Sequence, residues 1–245
     1  EIGTYGLRDF AMTTNGILLN HHAINLKAAG LHRVTVSLDA LDDETFGKMN
    51  GVGARVDRVL NGIRSARDAG LPVKVNMVVQ RGVNESEILP MVRWSREEGV
   101  TLRLIEFMDV GESNGWNFKQ VVTAKEMLES IEQEYPLEQA PPQYRGEVAR
   151  RWRYRDGAGE IGIISSVSQP FCGDCSRLRV SAEGQLFTCL FASKGTNLRD
   201  CLRSGASDEE VSRFLTSVWS GRHDRYSEER GEVEKEKAEM SYLGG

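Results

Sequence analysis

The chain has 245 residues, of which 40% are hydrophobic and 27% are charged, so it holds enough apolar material for a sizeable buried core. Its net charge of −5 gives no general attraction to nucleic acid, and no apolar stretch approaches the roughly 20 residues that cross a membrane. The four cysteines come without a secretory signal, so we expect a cytoplasmic protein with reduced thiols rather than disulfides.

The first half of the chain alternates strand-like and helix-like segments. A strand at 10–14 precedes a helix over 20–29, and further β-rich runs follow at 33–38, 73–79 and 101–107. Helical patterns at 42–69 and 85–98 separate these runs. This order is typical of βαβ units, so we predict four parallel strands.

The pattern changes near Thr123, which forms a capping box with Glu126 for a helix that ends near Pro136. A loop with two prolines follows, and then a run over 152–166 that has the character of antiparallel strands. The change divides the chain into a βαβ region, residues 1–121, and an α+β region, residues 122–245.

Two further segments belong to the second region. Ser207 and Glu210 form another capping box, ahead of apolar residues at helical spacing. The stretch 222–239 is highly charged and has no apolar period, so we expect it to be solvated and mobile.

Three cysteines, Cys172, Cys175 and Cys189, lie in the run FCGDCSRLRVSAEGQLFTC. The C-x2-C pair places two sulfurs on one tight turn, and a hairpin with strands at 177–181 and 185–189 would bring Cys189 back opposite Cys175 and Ser176. Three thiolates suit a [4Fe-4S] cluster with one open iron, because structural zinc prefers four ligands. Three reduced core cysteines are the weaker interpretation, since the first two lie in a loop.

Cys201 is the remaining sulfur donor, in the helix-like stretch NLRDCLRSG. A lone cysteine in such a position is more often buried packing than a ligand. If Cys201 completed a set of four, the region would instead be a structural zinc ribbon without catalysis.

Arg177 and Arg179 flank Leu178 in the predicted hairpin. Side chains two residues apart on a strand share a face, so both guanidinium groups would project beside the cysteine loop. Their planar donors suit bidentate binding of phosphate. A charged edge strand that discourages aggregation explains the same pattern, and the residues alone leave both interpretations open.

Several ordered motifs together resemble the GTP 3′,8-cyclase family, the radical S-adenosylmethionine enzymes of molybdenum cofactor biosynthesis. In chain order the motifs are TTNG from Thr13, VSLDA from Val36, VKVNMVVQRGVNE from Val73, RLIEFMDVG from Arg103, GWNF from Gly115, FCGDCSRLR from Phe171 and the terminal pair Gly244 and Gly245. The resemblance covers essentially the whole chain. It implies the later part of an incomplete (β/α)6 TIM-like barrel, the radical SAM fold, followed by a C-terminal α+β cluster-binding region.

The chain departs from the family in one respect. Members carry, near their N-terminus, a CxxxCxxC loop whose cluster cleaves S-adenosylmethionine, and a GGEP-like strand, and neither motif occurs in this sequence. We therefore expect a fragment without that region and without the second [4Fe-4S] cluster. The parent protein would convert GTP to 3′,8-cyclo-7,8-dihydro-GTP, and this chain alone would not turn over.

The resemblance also implies roles for particular residues. GTP would contact Thr13, Lys74, Arg103, Arg177, Leu178 and Arg179. S-adenosylmethionine would contact Ser37 and Met108, and an auxiliary [4Fe-4S] cluster would be held by Cys172, Cys175 and Cys189. Periodicity alone describes Thr13 and Ser37 as ordinary strand-end residues and Met108 as core. Lys74 is more informative, because it interrupts an apolar strand and needs an anionic partner if it faces a barrel interior.

The remaining implications concern the tail and the partners. Gly244 and Gly245 would reach into the active site, whereas a frayed terminus is their ordinary interpretation. No general acid or base is expected in this chain. The implied partners are GTP, S-adenosylmethionine and, by pathway, the downstream cyclic pyranopterin monophosphate synthase, and a homodimer is compatible with the resemblance. A different radical SAM enzyme with an auxiliary cluster, acting on a peptide or sugar, is a further alternative.

Overall fold

The computed structural model describes residues 6–230, 237–240, 242 and 243. They form two compact units, one of residues up to Phe107 together with Phe118–Ser168, and a second of Met108–Asn117 together with residues from Gln169 onward. The boundary predicted between residues 121 and 122 therefore falls inside the first unit.

A seven-stranded sheet, in the order β1-β2-β3-β4-β7-β6-β5, forms the first unit. Its strands are β1 (Ala11–Thr14), β2 (Arg33–Ser37), β3 (Val73–Val79), β4 (Thr101–Glu106), β5 (Leu137–Ala140), β6 (Arg150–Tyr154) and β7 (Glu160–Ile164). β1 to β4 are parallel, which confirms the four predicted strands, and β7 joins β4 in parallel as well. β6 and β5 continue the sheet antiparallel. The fold is α/β, with the strand and helix order of a partial TIM-like barrel.

Five α-helices accompany this sheet. They are α1 (Leu19–Ala28), α2 (Asp43–Asn50), α3 (Val56–Asp68), α4 (Ile88–Glu97) and α5 (Ala124–Glu132). The single helical pattern expected over 42–69 is thus two helices. Gly51 ends α2 at a φ of 65°, a left-handed conformation that glycine adopts without strain. The capping box of Thr123 and Glu126 at the start of α5 is confirmed.

The two faces of the sheet differ in chemistry because successive side chains on a strand point to opposite sides. On one face, apolar strand residues such as Val36, Val75 and Leu104 are fully buried and pack in one core with helix residues such as Ile63 and Met91. On the other face, the strands present polar residues in register: Thr35 opposite Lys74, and Asn76 opposite Arg103.

The second unit contains a three-stranded antiparallel sheet and two α-helices. Its elements are β8 (Arg179–Val180), β9 (Gln185–Phe187), β10 (Thr196–Asn197), α6 (Leu198–Arg203) and α7 (Asp208–Ser220). The capping box at Ser207 is confirmed, and so is the hairpin of β8 and β9, although its strands are shorter than expected. Within the described ranges, no helix combines the length and the apolarity needed to cross a bilayer.

Candidate functional site

The C-x2-C pair forms the predicted tight turn. Residues Cys172–Asp174 make one 3₁₀ turn, and the Cys175 amide donates to the Cys172 carbonyl oxygen at 3.2 Å. All four cysteines are free thiols of intermediate burial. The turn holds two candidate ligand thiols close to solvent but not fully exposed.

Cations surround the Cys175 thiol. Arg177 donates to its sulfur from Nε at 3.2 Å and from Nη2 at 3.1 Å, and Arg222 Nη1 donates to the Cys175 carbonyl oxygen at 2.5 Å. Burial alone would raise the pKa of Cys175, but the hydrogen bonds from Arg177 and the charges of Arg177 and Arg222 lower that pKa on balance. The thiolate, which is the form that binds metal, is therefore favoured.

Cys189 follows β9 and has a different environment. Burial raises the pKa of its thiol, and the backbone amide of Phe191 opposes this as a hydrogen-bond donor. The charge of Arg179 acts on both Cys175 and Cys189, although Arg179 belongs to β8. The pairing of β8 with β9 joins Arg179 to Phe187 and Val180 to Leu186 and ends before Cys189, so the rough placement of Cys189 opposite Cys175 and Ser176 stays a prediction.

A cavity of about 420 Å³ lies against Cys189. Its walls come from two segments of the second unit, residues 191–194 and residues 223–226, together with Glu229. The Cys189 thiol therefore borders open space large enough for a small group, rather than a closed apolar core.

The three cysteines of this region are candidate metal ligands. Among the described residues, no three His, Cys, Asp or Glu side chains converge as ligands of one metal ion. Cys201 lies in α6, as its helical spacing predicted. Three half-buried thiols beside arginine charges are a suitable donor set for a cluster.

The polar face of the first unit carries cations that protein groups balance poorly. Lys74 has a lowered pKa, caused by burial and then by the charges of Arg103 and Arg33. Arg103 donates from Nη2 to Thr35 Oγ1 at 3.1 Å, but its buried Nε has no hydrogen-bond partner among the described residues. Among the described residues, the buried Asn76 Oδ1 also has no hydrogen-bond partner. An anion with several acceptor oxygens would satisfy the Arg103 donor and balance the two cations, whereas Asn76 Oδ1 is an acceptor and needs a donor.

Gly162 makes the placement of Arg103 possible. It stands opposite Arg103 in the pairing of β4 with β7. A Cβ at this position would lie 3.0 Å from Arg103 Cγ and 3.1 Å from Ala149 Cβ. The absence of a side chain therefore leaves the space in which the arginine lies.

Thr13 and Ser37 lie on exposed parts of the first two strands, Thr13 in β1 and Ser37 at the end of β2. The backbone after Ser37 is fixed from β3: Asp39 Oδ1 accepts from the Val78 amide at 2.8 Å, and the fully buried Asn84 donates to the carbonyl oxygens of Asp39 and Val78. Burial raises the pKa of Asp39 to about 6, against the effect of the Val78 hydrogen bond.

Met108 opens the loop Met108–Asn117 of the second unit and is half-buried. Its carbonyl oxygen accepts from Asn114 Nδ2 at 2.9 Å, and the Val110 carbonyl oxygen accepts from the same amide at 3.0 Å. Asn114 thus fixes the main chain on both sides of Asp109.

The highly charged C-terminal stretch is ordered where the structure describes it. Asp109 is only 7% exposed in its side chain and accepts from Tyr226, Arg230 and Lys237. Glu239 accepts from the backbone amides of residues 112 and 113 at 2.9 and 3.1 Å. The expectation of a solvated, mobile segment was wrong for these residues, because one buried carboxylate distant in sequence pairs with their cations. Gly244 and Gly245 lie outside the described residues.

Matches to family profiles and to named relatives indicate the same family as the sequence motifs. The profile of the family described as Molybdenum Cofactor Synthesis C matches residues 100–228, and that of the Radical SAM superfamily matches residues 4–95. The chain is 46% identical over 256 residues to a GTP 3′,8-cyclase of Synechococcus sp. (strain CC9902), across 98% of this chain and 74% of that protein. It is 49% identical over 243 residues to a GTP 3′,8-cyclase of Xanthomonas axonopodis pv. citri (strain 306), across 98% of this chain and 72% of that protein. It is 43% identical over 246 residues to a GTP 3′,8-cyclase of Staphylococcus haemolyticus (strain JCSC1435), again across 98% and 72%.

Proposed function

This chain belongs to the GTP 3′,8-cyclase family, and we propose that its own residues hold GTP beside an auxiliary [4Fe-4S] cluster. The family consists of radical SAM enzymes that convert GTP to 3′,8-cyclo-7,8-dihydro-GTP in molybdenum cofactor biosynthesis, with S-adenosylmethionine and a [4Fe-4S] cluster.

In the first unit, the proposal rests on the cationic polar face of the sheet. Lys74 and Arg103 lie where burial disfavours their charge, and the buried Nε of Arg103 has no hydrogen-bond partner among the described residues. The poorly balanced charges of Lys74 and Arg103 are the main support for the proposal. A phosphate chain supplies both the negative charge and the acceptors that these two side chains need. Thr13, exposed on β1, is assigned to GTP on the family resemblance.

In the second unit, we assign the auxiliary [4Fe-4S] cluster to Cys172, Cys175 and Cys189. Arg177 favours the thiolate of Cys175, and Arg179 adds positive charge close to two of the three thiols. The radical and redox chemistry belongs to S-adenosylmethionine and the clusters, and an open iron of the auxiliary cluster would meet the purine. Arg177, Leu178 and Arg179 are assigned to GTP, and the charges of the two arginines also offset the negative charge of the thiolates.

S-adenosylmethionine is assigned to Ser37 and to the main chain of Met108 on the resemblance. Two hydrogen-bonded groups support a positioned contact at each residue: the pair Asp39 and Asn84 fixes the backbone after Ser37, and Asn114 fixes the Met108 carbonyl. These supports act on the backbone, so the two contacts do not depend on a mobile loop.

We also propose, on the resemblance, that Gly244 and Gly245 reach the active site and that the product passes to a downstream cyclic pyranopterin monophosphate synthase. Four cysteines without a secretory signal favour action in the cytoplasm, and a homodimer is compatible with the resemblance. Oligomeric state is measured directly by light scattering at several concentrations.

Anaerobic reconstitution followed by a GTP titration tests the proposal. About four irons with matching sulfide per chain are expected, whereas one zinc without sulfide would favour the structural zinc ribbon. GTP should bind the reconstituted chain, and Lys74→Met should weaken binding while the exposed control Lys48→Met should not. Binding of GTP that is unaffected by Lys74→Met and Arg179→Ala would contradict the assignment.

A further inference from the structure

The C-terminal segment, defined as the described residues 222–230, 237–240, 242 and 243, contacts the chain immediately before Cys189. The ring of Tyr242 packs edge-on against Phe187, with ring centroids 6.0 Å apart. Thr188 Oγ1 donates to Asp224 at 2.6 Å. Side chains of this segment therefore contact both Phe187 and Thr188, the two residues that precede Cys189.

The same segment contacts the chain immediately after Cys189. Phe191 stacks on Tyr226 with ring centroids 4.5 Å apart and an interplanar angle of 24°. The Ala238 amide donates to the Ala192 carbonyl oxygen at 3.2 Å. Because contacts lie on both sides of Cys189, the direction of its thiol depends on where the C-terminal segment is held.

Asp109 holds that segment in place. The Tyr226 hydroxyl donates to Asp109 Oδ2 at 2.5 Å, Arg230 Nε donates to Oδ1 at 2.8 Å, and Lys237 Nζ donates to Oδ2 at 2.8 Å. A buried carboxylate that accepts from three donors is held firmly, because loss of any donor leaves its buried charge less well compensated. The hydroxyl of Tyr226 donates to this carboxylate, and the ring of Tyr226 packs on Phe191.

We propose that Asp109 and Tyr226 are positioning residues for Cys189, which fix the segment Phe187–Ala192 from which its thiol is presented. Tyr226 also lines the cavity beside Cys189, and the role assigned to both residues is positioning, through the contacts that hold the chain around the thiol. Phe191 transmits the effect, because its ring packs on Tyr226 and it lies two residues after Cys189. The functional consequence rests on the proposed cluster, but the placement of the thiol is measurable without iron.

The first experiment uses the iron-free chain. Tyr226→Phe keeps the stacked ring and removes the hydroxyl, Tyr226→Leu removes both, and Tyr144→Phe is the matched control at an exposed tyrosine of the first unit. Each variant is treated with iodoacetamide under reducing conditions, and the alkylation of each cysteine is followed by mass spectrometry. Tyr226→Leu should alkylate Cys189 several-fold faster than the unmodified sequence does, Tyr226→Phe should have a smaller effect in the same direction, and Cys201 should be unchanged.

The second experiment measures how fast the reconstituted chain loses iron to a chelator. Substituting a residue that orients a metal ligand typically lowers metal affinity by about ten- to a hundredfold. The Tyr226→Leu variant should therefore lose iron faster than the unmodified sequence by a factor in that range. The control Tyr144→Phe should retain iron as the unmodified sequence does. Comparing the spectrum of the bound cluster between the variants distinguishes a cluster in an altered site from simple loss of iron.

Each result decides the inference. Unchanged alkylation of Cys189 in a folded Tyr226→Leu variant overturns it, and so does an increase shared equally by Cys201, which would mean general loosening of the unit. If Tyr226→Leu does not fold, Tyr226→Phe supplies the same comparison. A chain that fails to bind iron before any substitution overturns the proposed cluster, whereas the alkylation rates still decide the role of Tyr226.

Discussion

Arg177 donates two hydrogen bonds to the sulfur of Cys175, so a residue assigned to GTP also contacts a candidate cluster ligand. The guanidinium has five donors, and these two bonds leave three for a nucleotide. One side chain can therefore stabilise the thiolate and still offer positive charge to a phosphate or a purine oxygen. The relationship makes the ionisation of Cys175 the first property to test.

Arg177→Gln should raise the pKa of Cys175. The folded pKa of this thiol lies below its ordinary value of 9.0, and removing Arg177 removes the hydrogen bonds and the charge that lower it. In the iron-free chain, the midpoint of Cys175 alkylation against pH should therefore move to higher pH. Arg199→Gln, at an exposed arginine that pairs with Asp200, is the control and should leave the midpoint unchanged. An identical midpoint in both variants would count against the contact.

Gly162→Ala should destabilise the first unit by about 1–3 kcal/mol, because the new Cβ needs space that Arg103 and Ala149 occupy. Urea unfolding measures the change, and a GTP titration should show weaker binding because Arg103 is displaced. Gly47→Ala is the matched control, since a Cβ there meets nothing within 4 Å in α2 and should stabilise by about 0.5–1 kcal/mol. Equal stabilities of the two variants would contradict the close contact at Gly162.

Lys74→Met should separate binding from stability. The lysine is half-buried with a lowered pKa, so the folded state binds its proton less tightly than the unfolded state does. The stability of the unmodified sequence should therefore rise with pH between the folded pKa and the ordinary lysine pKa of 10.5, and the variant should lack this part of the rise. The variant should be at least as stable near neutral pH, while its GTP affinity falls. A variant that loses stability and keeps GTP binding would show that Lys74 is structural.

Asp39→Asn should remove a pH dependence of stability between about pH 4 and 6. The folded pKa of about 6 exceeds the ordinary aspartate pKa of 3.8, so the folded state favours the protonated acid. The stabilisation is present in full below the unfolded pKa and is lost as pH rises through the folded pKa, by at most about 3 kcal/mol. Asparagine keeps an acceptor for the Val78 amide and does not titrate. Urea unfolding from pH 4 to pH 8 should show a fall for the unmodified sequence that the variant lacks.

Local patterns in the sequence were sufficient for most of the first unit. The strand at Val73–Val79 has the predicted bounds, because alternation of apolar and polar residues is a local signal. The break at Gly51 was not predicted, although two glycines in the stretch 51–53 carry the signal for it. The pairing of β7 with β4 was not predictable, since it joins residues far apart in sequence and depends on the whole sheet.

The cysteine turn and the arginine pair were also found from local spacing. The order of the C-terminal segment was missed, because charge density is typical of solvated chain unless a buried partner exists. That partner, Asp109, lies more than a hundred residues before the cations it pairs with. Tyr226 was the one available indication, since an aromatic residue within a charged stretch often marks a packed contact.

The strands of the first unit divide two tasks between their opposite sides. One face of the sheet packs against the helices, and the opposite face carries the cations, so few residues contribute to both. Substitutions at Lys74 or Arg103 therefore change the charge of one face and leave the apolar layer on the opposite face in place.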